Sequence, residues 1–270
     1  HQAGCFVLPN PWDVGSARTL EHLGFPALAT TSAGFAFSNG LPDGGVPRAA
    51  VLDHLRAVVE ATELPVNADF ESGFAADAAG VAESVRLCMD TGVAGLSIED
   101  STRDPAAPLY PLEVAVERLK AARAAVDASR TGAILTGRAE CHLVGHPDPL
   151  RESLRRLEAY AAAGADCLYA PGLRTREAVA AVVKAVAPKP VNVLVSGPVF
   201  TVRELEDLGV RRVSVGGALA RAAWGAFMRA AEEIAAHGTF VALGEAAPFA
   251  RIDGLFREEA RKRRGGGAPR

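Results

Sequence analysis

Charged side chains close three apolar runs of this sequence, and their spacing suggests chemistry. Asp69 and Glu71 end PVNADFESG (65–73), Glu99 and Asp100 end AGLSIED (94–100), and Arg138 and Glu140 end AILTGRAE (133–140). A strand alternates its faces with period two, so Asp69 and Glu71 are expected on one side and Phe70 on the other. Like charges held side by side repel unless a cation or a shared proton offsets the repulsion. Three strand ends of this kind read as one acidic, metal-type site, and oxygen ligands alone suit Mg²⁺ or Mn²⁺ rather than zinc.

The elements that must position these residues repeat about every 30 residues: an apolar strand, a turn, and a helix rich in Ala, Leu, Val and Arg. Strands are expected at 5–9, 26–34, 65–70, 94–99, 133–138, 166–171, 190–195 and 211–217. The helices between them include one after Asp13, one from Pro47 to about residue 62 and a long one over 218–237. Strict alternation of eight strands with eight helices predicts an α/β fold of (β/α)8 TIM-barrel type. The first strand–helix turn, PNPWDVGS, also lacks the glycine fingerprint of a dinucleotide fold. Catalytic groups in such barrels sit at the C-terminal ends of the strands. That filter collects Ser32, Asp69, Glu71, Glu99, Asp100, Arg138, Glu140, Asn192 and Ser196. The catalytic barrel is expected to span 1–245. Residues 246–270 are read as a docking segment followed by a flexible basic tail.

Composition narrows the classes. The chain has 270 residues, 49% hydrophobic and 23% charged, with a net charge of −3. The weak negative balance gives nucleic acid or an anionic membrane no basic footprint. No apolar run approaches the roughly 20 residues that span a bilayer, and no signal peptide is evident. The first residue is His1, which implies that native residues precede it. Cys5, Cys88, Cys141 and Cys167 form no CxxC pair and fit reduced, mostly buried thiols in a cytoplasm. Cys141, His142 and His146 offer a weaker zinc alternative at a non-standard spacing. Ser196-Gly197 and Gly216-Gly217 stand where many barrels hold a phosphate, although tight turns need glycine as well. Lys120, Lys184, Lys189 and Lys262 all lie away from strand ends, which excludes a Schiff-base aldolase.

PNPWDVGSARTLEHLGFPALATTSAG, NGLPDGG, PVNADFESGF, GVAGLSIED, LTGRAE and YAPGL together resemble the isocitrate lyase/phosphoenolpyruvate mutase superfamily over about residues 4–240. The resemblance implies a barrel whose eighth helix is exchanged between subunits, and so a homodimer or homotetramer. It implies Mg²⁺ (or Mn²⁺), with Asp69 as the direct ligand and Glu71 and Glu99 holding the metal through its waters. It places Ser32, Ala33 and Gly34 on the substrate's carboxylate or phosphonyl group, Asp43 near the reacting centre and Arg138 on the substrate's anionic end; Asn192 is a further substrate contact at its strand end. Residues 101–111 correspond to a gating loop. That loop lacks the Lys-Lys/Arg-Cys-Gly-His motif of the isocitrate lyases, leaving Arg103, Asp104 and Tyr110 as its nearest polar groups. The leading expectation is an Mg²⁺-dependent lyase or decarboxylase acting on a small 2-oxo or 2-hydroxy dicarboxylate through a metal-stabilised enolate. Its alternatives are a phosphonopyruvate C–P mutase or hydrolase and a non-catalytic 2-oxo acid binder.

Overall fold

The computed structural model describes His1 and residues 4–265. Eight short parallel strands line a bore: β1 (Phe6–Leu8), β2 (Leu28–Ala29), β3 (Val66–Asp69), β4 (Gly95–Glu99), β5 (Ile134–Arg138), β6 (Cys167–Tyr169), β7 (Val191–Leu194) and β8 (Arg212–Ser214). Their order, β1-β8-β7-β6-β5-β4-β3-β2, is that of a (β/α)8 barrel. The β1–β2 seam is joined without a ladder among the described residues. There the Ala29 N–H donates to the Pro9 carbonyl at 3.0 Å. Asn10 reinforces the joint: its amide donates to the Thr30 carbonyl at 2.8 Å, and its Oδ1 accepts from Val215 and Gly216 N–H at 2.9 and 2.8 Å.

Strand alternation sorts the side chains. Ala68, Leu96, Leu135, Leu168 and Val193 are fully buried and join a core with Val81, Val85, Leu157, Val179 and Val182 from the surrounding helices. Asn67, Ser97, Thr136, Asn192 and Arg212 line the bore or bond across it instead. The helices are α1 (Val14–His22), α2 (Ser32–Ser38), α3 (Arg48–Ala61), α4 (Ala78–Met89), α5 (Leu112–Ser129), α6 (Pro149–Ala162), α7 (Arg176–Val186), α8 (Val202–Asp207), α9 (Ala218–His237) and α10 (Phe249–Gly265), with a 3₁₀ turn at Val241–Glu245. Asp13, Asp77, Asp148, Thr175 and Thr201 each accept a backbone N–H of the first turn they cap, as short polar N-caps do. Gly137 in β5 lets α6 approach closely, since a Cβ there would sit 3.0 Å from Tyr160 Cβ.

Two expectations are corrected. The second strand ends at Ala29 rather than residue 34, because Thr31 caps a helix: its hydroxyl accepts the Gly34 N–H at 3.2 Å and α2 begins at Ser32. The basic run from Ala260 continues α10 as far as Gly265, where Arg263 pairs with Glu21 of α1 and bonds the carbonyls of Glu60 and Ala61. Residues 266–270 of the expected tail lie outside the described residues. The last barrel helix, α9, buries only Ala220. No helix among the described residues is long and apolar enough to cross a membrane.

Candidate active site

The strand ends meet in a cavity of about 130 Å³ at the C-terminal mouth of the barrel. Its lining includes Ser32, Ala33, Asp43, Asp69, Arg138, Asn192 and Arg212. Asp69 ends β3, and its Oδ2 accepts the Ser32 N–H at 3.0 Å. Its Oδ1 lies 3.2 Å from Arg138 Nη1, which is also 3.2 Å from Glu99 Oε2. Arg138 Nε donates to Glu140 Oε1. One guanidinium therefore faces three carboxylates.

Glu71 reaches the mouth by a different route from the one strand alternation predicts. Strand β3 stops at Asp69, and Glu71 takes a left-handed backbone with φ of 49°. Such a φ strains a residue that carries a Cβ and persists only where neighbours over-determine it. Here the fully buried Arg118 does so, donating to the carbonyls of Ser72, Ala75 and Ala76 at 2.6, 2.9 and 2.7 Å. The Glu99 N–H also donates to the Glu71 carbonyl at 2.9 Å, tying this turn to β4. Glu71 Oε2 then meets Arg103 Nη2 at 2.8 Å, with Glu99 Oε1 at 3.8 Å from the same nitrogen. Arg103 belongs to the expected gating segment, which folds back on itself through a Ser101–Leu109 bridge. Arg118 stacks 4.1 Å above the Tyr110 ring.

Burial pushes the Glu71 carboxyl up to about 7, with Asp69 and Asp43 adding to the shift and Arg103 opposing it. Burial likewise raises Glu99 and Glu140, and holds them up against the pull of Arg138. Four carboxyls, Asp69, Glu71, Glu99 and Glu140, thus share two arginines, Arg138 and Arg103, and burial favours the protonated form of three of them. Among the described residues no three His, Cys, Asp or Glu side chains form a ready cation cage; the carboxylates are drawn onto Arg138 and Arg103 instead. The donor set still fits a hard divalent cation, since it is all oxygen and largely buried.

Other candidates fall away from the mouth. Asp100 turns outward, binding Arg156, Tyr160 and the Glu140 N–H at 2.9, 2.6 and 2.8 Å. Gly34 stands behind the cavity, where a Cβ would strike Thr31, Trp12 and Ala220. Asp43 is exposed but stays in the cavity lining, at its rim. Ser196 is exposed and outside the cavity lining, and Cys141 is buried in the core. Sequence reasoning passed over Arg212, Tyr169 and Asn10. The double arginine at 211–212 inside an apolar strand is the one signal that marks Arg212.

A parallel barrel with acids and arginines gathered at its mouth defines an enzyme that works on a small acid. The chain matches the family described as phosphoenolpyruvate phosphomutase over residues 1–235, and it belongs to the isocitrate lyase/phosphoenolpyruvate mutase superfamily, whose members cleave carbon–carbon or carbon–phosphorus bonds. It is 48% identical to a Burkholderia cenocepacia J2315 structure provisionally described as a lyase/mutase, with a TM-score of 0.91 over 95% of this chain and 92% of that one. An oxaloacetate decarboxylase of Bradyrhizobium diazoefficiens is 31% identical, covering 96% of this chain and 88% of its own. A phosphonopyruvate hydrolase solved with oxalate and Mg²⁺ is 25% identical, with a TM-score of 0.80 over 96% and 94% of the two chains.

Proposed function

We propose that this enzyme is an Mg²⁺-dependent lyase or decarboxylase of a small 2-oxo or 2-hydroxy dicarboxylate. The observation that carries the reading is Asp69 and Arg138 lining a cavity of small-acid size, with the buried carboxyls of Glu71 and Glu99 beside them. The oxaloacetate decarboxylase relative supports the substrate class, and the hydrolase relative that holds oxalate and Mg²⁺ supports the cation.

In this reading Asp69 would hold the cation directly, and Glu71 and Glu99 would hold it through water. Mg²⁺, when bound, supplies Lewis-acid charge for the electron pair released beside the 2-oxo group. For a decarboxylation, the bond between C3 and its carboxylate breaks and carbon dioxide leaves. The electron pair passes into the 2-oxo group as an enolate, and C3 then takes a proton. Arg138 orients Asp69 and Glu99 through its ion pairs. Ser32 uses its N–H on Asp69 and Gly34 uses its own on Thr31, so only Ala33 of that turn keeps a backbone donor for the substrate. Asp43 stands at the rim beside the reacting centre, and residues 101–111 close over it to exclude water.

Incubation with oxaloacetate, isocitrate, alkylmalates, 2-oxoglutarate and phosphonopyruvate, with and without Mg²⁺, followed by proton and phosphorus NMR, tests the reading. Metal-dependent loss of a dicarboxylate is the expected result. Conversion of phosphonopyruvate alone would move the enzyme to carbon–phosphorus chemistry, and saturation without conversion would make it a binder. Asp69→Ala should abolish Mg²⁺ binding by calorimetry; unchanged affinity would misplace the metal. The exposed apolar face of α9 is further read as packing against a second subunit, which makes the enzyme a homodimer or homotetramer.

A further inference from the structure

One layer below the acidic residues, the cavity has a second charged group. Arg212 is 4% exposed and crosses the bore from β8. Its Nε donates to Asn192 Oδ1 at 2.9 Å, its Nη2 to Thr136 Oγ1 at 2.9 Å and its Nη1 to Asn67 Oδ1 at 3.4 Å. All three acceptors are neutral. Among the described residues no carboxylate lies within ion-pair distance of it. The carboxylates at the ends of β3, β4 and β5 pair instead with Arg138 and Arg103. A guanidinium has five N–H donors, so one on each terminal nitrogen stays uncommitted, the pair that a carboxylate accepts two at a time. A buried charge without a counter-ion is unfavourable in a folded protein, and a residue that merely filled the bore would not need one.

We propose that Arg212 is the specificity-determining residue of the site, and that the substrate's second carboxylate is its missing counter-ion. The assignment rests on the dicarboxylate reading above and moves that anion from Arg138, whose donors face three carboxylates, to the layer below it. Asn192 then acts as a positioning residue: its Oδ1 holds Nε while its amide donates to Ser214 Oγ at 2.9 Å.

Calorimetric titration of oxaloacetate, 2-oxoglutarate and pyruvate in the presence of Mg²⁺ tests this. Wild type should prefer a dicarboxylate over pyruvate. Arg212→Lys, which keeps the charge but loses the fork, should weaken the dicarboxylate about tenfold or more and leave pyruvate within about twofold. Asn192→Asp carries the test independently if Arg212→Lys does not fold. That isosteric change gives Arg212 an internal carboxylate, so the protein should melt at or above the wild-type temperature and yet lose its dicarboxylate preference. Folded variants that both keep the wild-type preference would overturn the role of Arg212 and leave the proposed function intact. A wild type that binds no 2-oxo acid would instead overturn the proposed function, and this assignment with it.

Discussion

Arg138 and His54 show what single side chains contribute beneath the chemistry. Arg138 is the shared partner of Asp69, Glu99 and Glu140. Removing one partner of a buried ionic cluster commonly costs about 3–5 kcal/mol, because the remaining charges stay buried without compensation. Arg138→Gln should therefore lower metal-free stability by that order in urea unfolding, and excess Mg²⁺ should restore part of it. An unchanged midpoint would remove Arg138 from the electrostatic frame. His54 lies behind the mouth, stacked on Phe35 with ring centroids 3.8 Å apart, and its Nε2 is buried without a protein partner. Burial depresses its pKa from 6.5 to about 4, against the opposing pull of Asp13. The unfolded chain thus takes up a proton near pH 6.5 that the folded chain refuses until about pH 4. Between those values the unfolded state binds more protons, so stability falls as pH falls, by on the order of 2–3 kcal/mol across the window. His54→Gln should remove that slope, and the difference between the two melting curves against pH isolates it. Parallel curves would show that His54 does not titrate in this way.

The turn after β3 and the segment 101–111 act as one unit, because Arg103 joins them. Arg103 has a left-handed φ of 61°, pairs with Glu71 and leaves no room for a side chain at Gly44. It thereby connects the expected gate to the loop that carries Asp43. Arg103→Ala should make residues 101–111 several-fold more sensitive to limited proteolysis, and Mg²⁺ with a bound 2-oxo acid should protect the wild-type segment. Equal cutting in all these states would rule out gating through Arg103. Most elements were legible beforehand, since an apolar strand followed by a capped helix repeats with little variation. Asp69, Glu99 and Arg138 were legible too, because strand ends in this fold share one mouth. What escaped depends on contacts remote in sequence. Glu71 is aimed by Arg118, which lies 46 residues from the Ser72 carbonyl it binds. Asp100 is drawn outward by Arg156 and Tyr160 from α6. Thr31 could as well have been a β-branched strand residue as the cap it proves to be.

At the scale of the whole molecule, α9 stands out because Leu219, Phe227, Met228 and Ile234 remain 38 to 61% exposed while only Ala220 is buried. With Phe37 and Leu41 of the α2 region, Trp224 and Met228 line an apolar groove. Contiguous apolar surface of this kind marks an interaction site, and light scattering at micromolar concentration should report a dimer or tetramer. A monomer there would overturn the proposed assembly, and Phe227→Glu should shift an oligomer toward smaller species. The strand order has a consequence for how the chain is made. Among the described residues strand β1 is laddered only to β8, and the Asn10 clip reaches Val215, 205 residues away. At roughly 5–20 residues per second, a ribosome needs roughly 10–40 s to deliver β8 after β1 has emerged. During that interval β1 waits with an unpaired edge while the next six strands assemble without it. The barrel therefore closes last at the end that began first, and nascent chains arrested before residue 211 should leave Phe6–Leu8 open to protease while Gly95–Glu99 is already protected.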